Sequence, residues 1–361
     1  MFKPQCLPIL IGSLPLTDHQ DAVEIILSYS SEIPLWPQLP KLPREGMVRQ
    51  FLSGFPGLQE DGSRFWIDTD LADFEDQLAS FYQDYMDIVE NPSLLHSSRF
   101  AIKDETAPGF AVFTDILSQQ QPHLHAVKGQ ITGPVTTGIG VKDQHNRPII
   151  YDDSLRDILI KLLALKGRWQ VIELKKVTGL PSPIIFIDEP GIVSFGSTGF
   201  MGVTREMVSE AVAEVIEAIH NSGGLAGIHI CANGDWGPAL STDADIISFD
   251  AYFYFENFIL YKDMLTSYLQ RGGILAWGIV PTGDPDILEK ITLEELFEKW
   301  KSQLKILTTF GFSEMRLMEQ TLIAPSCGTG SLSIELAVKV LQLTHDLSMK
   351  AREYYLQSSG M

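Results

Sequence analysis

The chain is poor in cysteine, in basic residues and in long apolar runs. It has three cysteines in 361 residues, Cys6, Cys231 and Cys327. So sparse and odd a count excludes a disulfide scaffold and points to a reducing cytoplasm. Lysine and arginine number 27 against 46 acidic residues, a net charge of −19. That balance leaves no basic footprint for nucleic acid or an anionic membrane surface, and its ordinary use is solubility. No apolar run reaches the roughly 18 residues that a membrane span requires. The opening segment MFKPQCLPILIGSLP carries one lysine and a short apolar patch interrupted by proline and glycine. It lacks the long apolar core and small-residue cleavage site of a signal peptide, and it suits a buried strand. A fixed repeat of twenty to fifty residues is also missing. No GxGxxG or GxxxxGK[ST] loop follows a strand, so a nucleotide site has no motif support.

What is present is alternation. Short apolar runs bounded by Gly, Pro or Asp occur at 8–14, 183–189, 225–231, 245–250 and 273–280. Further strand candidates are 124–132 and 316–324, with weaker ones at 33–37 and 63–68. Runs of this kind are what strands buried on both faces look like. Between them, 70–89, 153–167, 204–221, 292–308 and 331–350 repeat apolar positions at helical spacing. Thr204 offers a hydroxyl N-cap to the third of these, and Gly223 and Gly224 close it. Strand–helix alternation along a whole chain implies a parallel sheet covered by helices. Nine strand candidates fit one closed (β/α)₈ TIM barrel spanning residues 1–361, with one false candidate or an added hairpin. An open doubly wound sheet is the alternative.

The chemistry concentrates near the ends of these strands. His229 and Cys231 form an H-x-C pair at the end of 225–231. Side chains two apart on a strand point the same way, so both can reach one metal ion. The carboxy-terminal end of the strands is where a barrel places its active site. Cys327 lies just beyond another strand candidate, in APSCGTG. Together the three would form a His/Cys/Cys set with an open fourth position, as catalytic zinc requires. The plainer reading is a chance pair, with cysteines buried as ordinary core residues. Asp250 ends 245–250 and is either a helix cap or a displaceable oxygen ligand; Glu256 is the alternative for that ligand role. Asp188 and Glu189 end 183–189, where a carboxylate serves catalysis, substrate binding or a salt bridge. His123 and His125 share the i, i+2 spacing but precede their strand, which assigns them a structural or exposed role. The aromatic-rich AYFYFENF (251–258) either lines a pocket or packs the apolar face of a helix.

Six segments in order resemble a known superfamily. LIGSLP (10–15), KGQITGPVT (128–136), IDEP (187–190), HIC (229–231), DADIISFD (243–250) and PSCGTG (325–330) resemble the catalytic barrel of cobalamin-independent methionine synthase. The same superfamily includes uroporphyrinogen decarboxylase and the methylcobamide:coenzyme M methyltransferases. The resemblance implies a TIM barrel in which His229, Cys231 and Cys327 bind zinc. Asp250 stands where the synthases have a glutamate ligand. Ser13 and Asp188 match positions that hold the amino acid part of homocysteine, and Glu189 adjoins them as a further substrate-binding candidate. An HGE-type segment of the synthases has no counterpart here, and 33–45 resembles the decarboxylase and corrinoid-methyltransferase branch.

The expected function is therefore zinc-dependent methyl transfer to a small-molecule thiol, homocysteine or a related one. The expected donor is a methylated corrinoid protein, because short single-barrel relatives use one in place of a folate. Zinc binds such a thiol as thiolate, the nucleophilic species, while Asp188 and Ser13 hold the acceptor. Two other readings stand beside this one. A decarboxylase acting on a porphyrinogen-like tetrapyrrole would use arginines such as Arg44 and Arg49 and no metal. A non-catalytic corrinoid- or thiol-binding accessory protein would keep the barrel without turnover.

Overall fold

In the computed structural model, residues 2–62, 64–120, 123–194 and 202–359 are described. The β-branched runs form six parallel strands. These are β3 (Lys128–Thr132), β4 (Ile184–Asp188), β5 (Leu225–Ile230), β6 (Ile246–Phe249), β7 (Ile274–Val280) and β8 (Thr321–Pro325), adjacent in chain order. Two earlier strands, β1 (Leu58–Asp61) and β2 (Arg64–Ile67), pair antiparallel as a separate hairpin. The 63–68 candidate is therefore the second arm of that hairpin. Its half-exposed Phe65 and Trp66 are not the doubly buried pattern of β4 and β7.

The segments 8–14 and 33–38 extend this ladder as isolated parallel bridges. Pro8 pairs with Ile323 of β8, Leu35 pairs with Lys128 of β3, and Ser13 pairs with Gln38. Ile9 N donates to Ile323 O at 2.9 Å, Lys128 N to Pro34 O at 2.9 Å, and Gln38 N to Gly12 O at 3.0 Å. One enclosed apolar cluster draws Ile9, Ile33, Ala126, Phe186, Ile246, Ala276 and Leu322 together, with Leu225 packed against it. These residues come from both bridging segments, from beside β3 and from all five later strands.

Helices cover the outer face. The helix Arg205–Asn221 buries Val208, Val212, Val215 and Ile219, spaced as one helical stripe. Each such side chain contributes about 1.5–3 kcal/mol on burial. Thr204 caps it by accepting from Met207 N, as its hydroxyl implied. The helix expected over 153–167 continues to Thr178 and ends at Gly179 in the left-handed region (φ 69°). It runs on because Trp169, Val171 and Leu174 continue its buried stripe. The 316–324 candidate divides. Glu314–Glu319 is helical, capped by Ser313, and β8 begins only at Thr321. The last helix, Ile334–Ser359, packs on β8 and on the helix His19–Tyr29. Among the described residues no helix is long and apolar enough to cross a membrane.

Candidate metal centre

The two-residue alternation of β4, β5 and β6 carries one face from apolar to polar along the strand, and that face of β3 is polar throughout. On β4, Ile184 and Phe186 belong to the enclosed apolar cluster, and Asp188 follows on the same side. On β5 the sequence is Leu225, Gly227, His229 and then Cys231, one residue past the strand. On β6, Ile246 is followed by Ser248 and Asp250, and on β3, Lys128 by Gln130 and Thr132. In register, Asp188 lies beside His229 and His229 beside Ser248.

His229 is buried, and its Nδ1 lies 2.9 Å from Ser248 Oγ. Its Nε2 is buried and has no hydrogen-bond partner among the described residues. Cys231 and Cys327 are both half-buried free thiols. One donor atom from each of His229, Cys231 and Cys327 lies within 4.8 Å of the other two. Atoms bonded to one tetrahedral zinc ion at about 2.0–2.3 Å stand about 3.3–3.8 Å apart. Side-chain shifts of up to about 1 Å would bring the trio to that spacing. A hydrogen bond from the Cys327 thiol holds the Cys231 thiol below its ordinary value, against the effect of burial. The same contact keeps the proton on Cys327 and pushes that thiol up. Ala232, directly after Cys231, sits in the left-handed region at φ 79°. Strain of this sort in a residue with a Cβ collects at functional sites. The unpaired imidazole nitrogen and the two sulfurs fit a soft divalent ion.

Asp188 is 7% exposed, and its Oδ1 has no hydrogen-bond partner among the described residues. Burial raises its pKa, opposed by His229 and Lys128. Lys128 was not singled out as a site residue, although the strand parity that selects Asp188 also selects it. It is fully buried, with Nζ 2.5 Å from Ile11 O, 3.4 Å from Gln130 Oε1 and 4.5 Å from the Phe186 ring centroid. Burial pushes its pKa down to about 8. The same parity selects Ser248, which pairs with His229 in register.

Two expected site residues have other partners. Glu189 was expected to meet substrate, but it is fully buried and its carboxylate caps the helix Pro134–Gly140. It accepts from Val135 N at 2.9 Å, Thr136 N at 2.8 Å and Thr136 Oγ1 at 2.6 Å. Both oxygens are therefore committed to structure, and burial lifts its pKa to about 7. Asp250 was expected as a fourth ligand, but it stands outside the three-residue cluster. Its Oδ1 caps the helix Ala251–Phe258 by accepting from Phe253 N at 2.9 Å. Burial raises its pKa to about 6. Glu256 is exposed on that helix, which buries Phe255 and Phe258. Ser13 lines a small cavity with Cys327 and Gly328, and its Oγ accepts from Gly330 N at 3.3 Å. His125 lies 3.6 Å from Glu32 and is stacked edge-on with His123, away from the cluster. Arg49 is engaged by Glu60 at 2.9 Å.

No family model matches the sequence, and no curated protein matches it. Solved structures do match. One is that of the tandem GH20 catalytic modules in the pneumococcal exo-beta-D-N-acetylglucosaminidase StrH. It is 9% identical, with 95% of this chain and 85% of that chain covered at a TM-score of 0.45.

Proposed function

We propose that this chain is a zinc-dependent methyltransferase that alkylates a small-molecule thiol. We take the whole chain as one closed eight-stranded barrel whose first two strands are the bridging segments 8–14 and 33–38. The enclosed cluster drawn from both bridging segments, from Ala126 beside β3 and from the five later strands supports that closure. The observation that carries the functional reading is the His229, Cys231 and Cys327 trio, with its buried, unpartnered Nε2. The ordered likeness of six segments to the methionine synthase superfamily supports the choice of reaction.

His229, Cys231 and Cys327 would hold the ion, and Ser248 fixes the His229 ring through Nδ1. A bound zinc ion supplies a Lewis acid that favours the thiolate form of an acceptor thiol. Asp188 offers its unpaired Oδ1 to a cationic group on the acceptor. Ser13 Oγ accepts from Gly330 N and still has its own proton to donate. In the transfer, the acceptor's S–H bond breaks and its proton leaves to solvent. The sulfur then forms a bond to the methyl carbon, and the donor–methyl bond breaks with its electron pair remaining on the donor. A methylated corrinoid, whose cobalt accepts that pair, is the proposed donor.

The test is turnover of zinc-loaded protein with methylcobalamin and a panel of thiols that includes homocysteine, followed by loss of the methylcobalamin absorption. Demethylation that depends on both thiol and zinc is expected. Zinc-loaded protein that leaves methylcobalamin intact with every thiol would overturn the proposed reaction.

A further inference from the structure

The loop that carries Cys327 is held on one side by Ser326, bonded to Val280 and Thr282, and on the other by one residue of the first bridging segment. Thr329 N and Thr329 Oγ1 donate to Ser13 O at 3.0 Å and 2.9 Å, and Gly330 N donates to Ser13 Oγ at 3.3 Å. Ser13 is itself held in place, since Leu14 N donates to Gln38 O and Gln38 N to Gly12 O, each at 3.0 Å.

The two glycines of the loop are required by space. Neither Gly328 nor Gly330 is among the residues with positive φ, so conformational freedom does not explain them. A Cβ on Gly328 would stand 2.1 Å from Ser13 Oγ and 3.3 Å from Ser13 Cβ. A Cβ on Gly330 would stand 2.6 Å from Pro40 Cγ and 3.1 Å from Ser13 Cβ. The loop therefore lies flat on a shelf made by Ser13 and Pro40, and Cys327 precedes the point of closest approach by one residue.

We infer that Ser13 is a positioning residue for Cys327: its contact with Gly328 sets how far the Cys327 sulfur reaches toward Cys231 and His229. This rests on the metal-centre reading but is tested apart from it. The variants are Gly328→Ala, Ser13→Ala, Ser13→Ala with Gly328→Ala, and Gly330→Ala with and without Ser13→Ala. The first readout needs no metal: bridging of Cys231 and Cys327 by dibromobimane in the metal-free protein, followed by fluorescence. Cys6, the remaining cysteine, is fully buried. The second readout is cobalt(II) affinity from the thiolate charge-transfer band.

Gly328→Ala is expected to weaken cobalt affinity by about tenfold, the size of a supporting-residue effect at a metal site, and to slow bridging in parallel. Removing the Ser13 hydroxyl in the double variant relieves the 2.1 Å contact and is expected to restore both readouts. Gly330→Ala is not expected to be rescued, because the Pro40 contact persists. If Gly328→Ala fails to fold, Ser13→Val presses on the same contact from the other side and is expected to slow bridging. Unchanged bridging in whichever of these two variants is tested, or a double variant as impaired as Gly328→Ala alone, would overturn the inference. A wild-type chain that binds no metal but shows this bridging pattern would remove the zinc reading and leave the clasp standing.

Discussion

At the amino-terminal end of the parallel strands, Asp245 Oδ2 is engaged twice: His220 Nε2 lies 2.7 Å away and Ala226 N donates at 2.8 Å. Nearby, Tyr268 Oη lies 2.9 Å from Asp245 O and 2.8 Å from Ile274 O. At the carboxy-terminal end, Asp188 Oδ1 and His229 Nε2 are buried with no partner among the described residues, two thiols lie near His229, and Ala232 is strained. An unpaired buried polar group costs about 1–3 kcal/mol. The amino-terminal pair is satisfied within the fold, whereas at the other end Asp188 Oδ1 and His229 Nε2 stand unpaired among the described residues. Asp245 and Asp188 are the same residue type at opposite ends of neighbouring parts of one sheet, and their surroundings alone separate their roles.

The largest expected effect is at the open end. Cys231→Ala should reduce zinc or cobalt affinity by more than the roughly 10- to 100-fold that supporting residues command, with little change in the unfolding midpoint of the metal-free protein. Isothermal titration checks the first part and urea denaturation the second. At the closed end, Asp245→Ala should destabilise the fold by about 2 kcal/mol and leave metal affinity unchanged. Its hydrogen bond to Asp245 holds His220 above its ordinary pKa. That contribution is present in full below the ordinary histidine range and fades as pH rises through the raised value. The variant should lack this slope in denaturation midpoints taken across neutral pH. Ser248→Ala frees His229 Nδ1 and should weaken cobalt binding by about tenfold, a smaller change than loss of a ligand.

The smallest effect tests an exception to the comparison. Lys166 is fully buried in the helix Asp153–Thr178, with Ala101 O at 3.3 Å as its hydrogen-bond acceptor, and burial pushes its pKa down to about 7. Between that value and the ordinary lysine pKa of about 10.4, the unfolded chain holds a proton that the folded chain has released. Stability from this group therefore rises with pH through that window. Lys166→Met should stabilise the protein by about 1 kcal/mol near pH 7, with the advantage shrinking toward pH 10, as urea titrations at both pH values would show.

Much of this arrangement was legible in the sequence. The 225–231 run appears as Leu225–Ile230 and the 273–280 run as Ile274–Val280, because β-branched runs bounded by Gly and Asp have few alternatives. The trio was legible too, since strand parity brings His229 and Cys231 to one side. Asp250 takes the helix cap, one of its two readings. The fate of Glu189 was not legible, because the helix it caps, Pro134–Gly140, lies about fifty residues away in the chain. The candidates 8–14 and 33–37 form only isolated bridges, so their patterning showed extended chain but not how short its pairing is. The spatial reason for Gly328 and Gly330 lay in Ser13 and Pro40, about three hundred residues away in the chain.

The central claim is that His229, Cys231 and Cys327 together hold one metal ion. Metal content by plasma mass spectrometry on purified wild-type protein and on Cys327→Ala tests it most directly. The account predicts about one zinc per wild-type chain, as an open His/Cys/Cys site requires, and loss of that zinc in the variant. A wild-type chain free of zinc after growth and refolding with the metal, or a variant that retains it in full, would contradict the account.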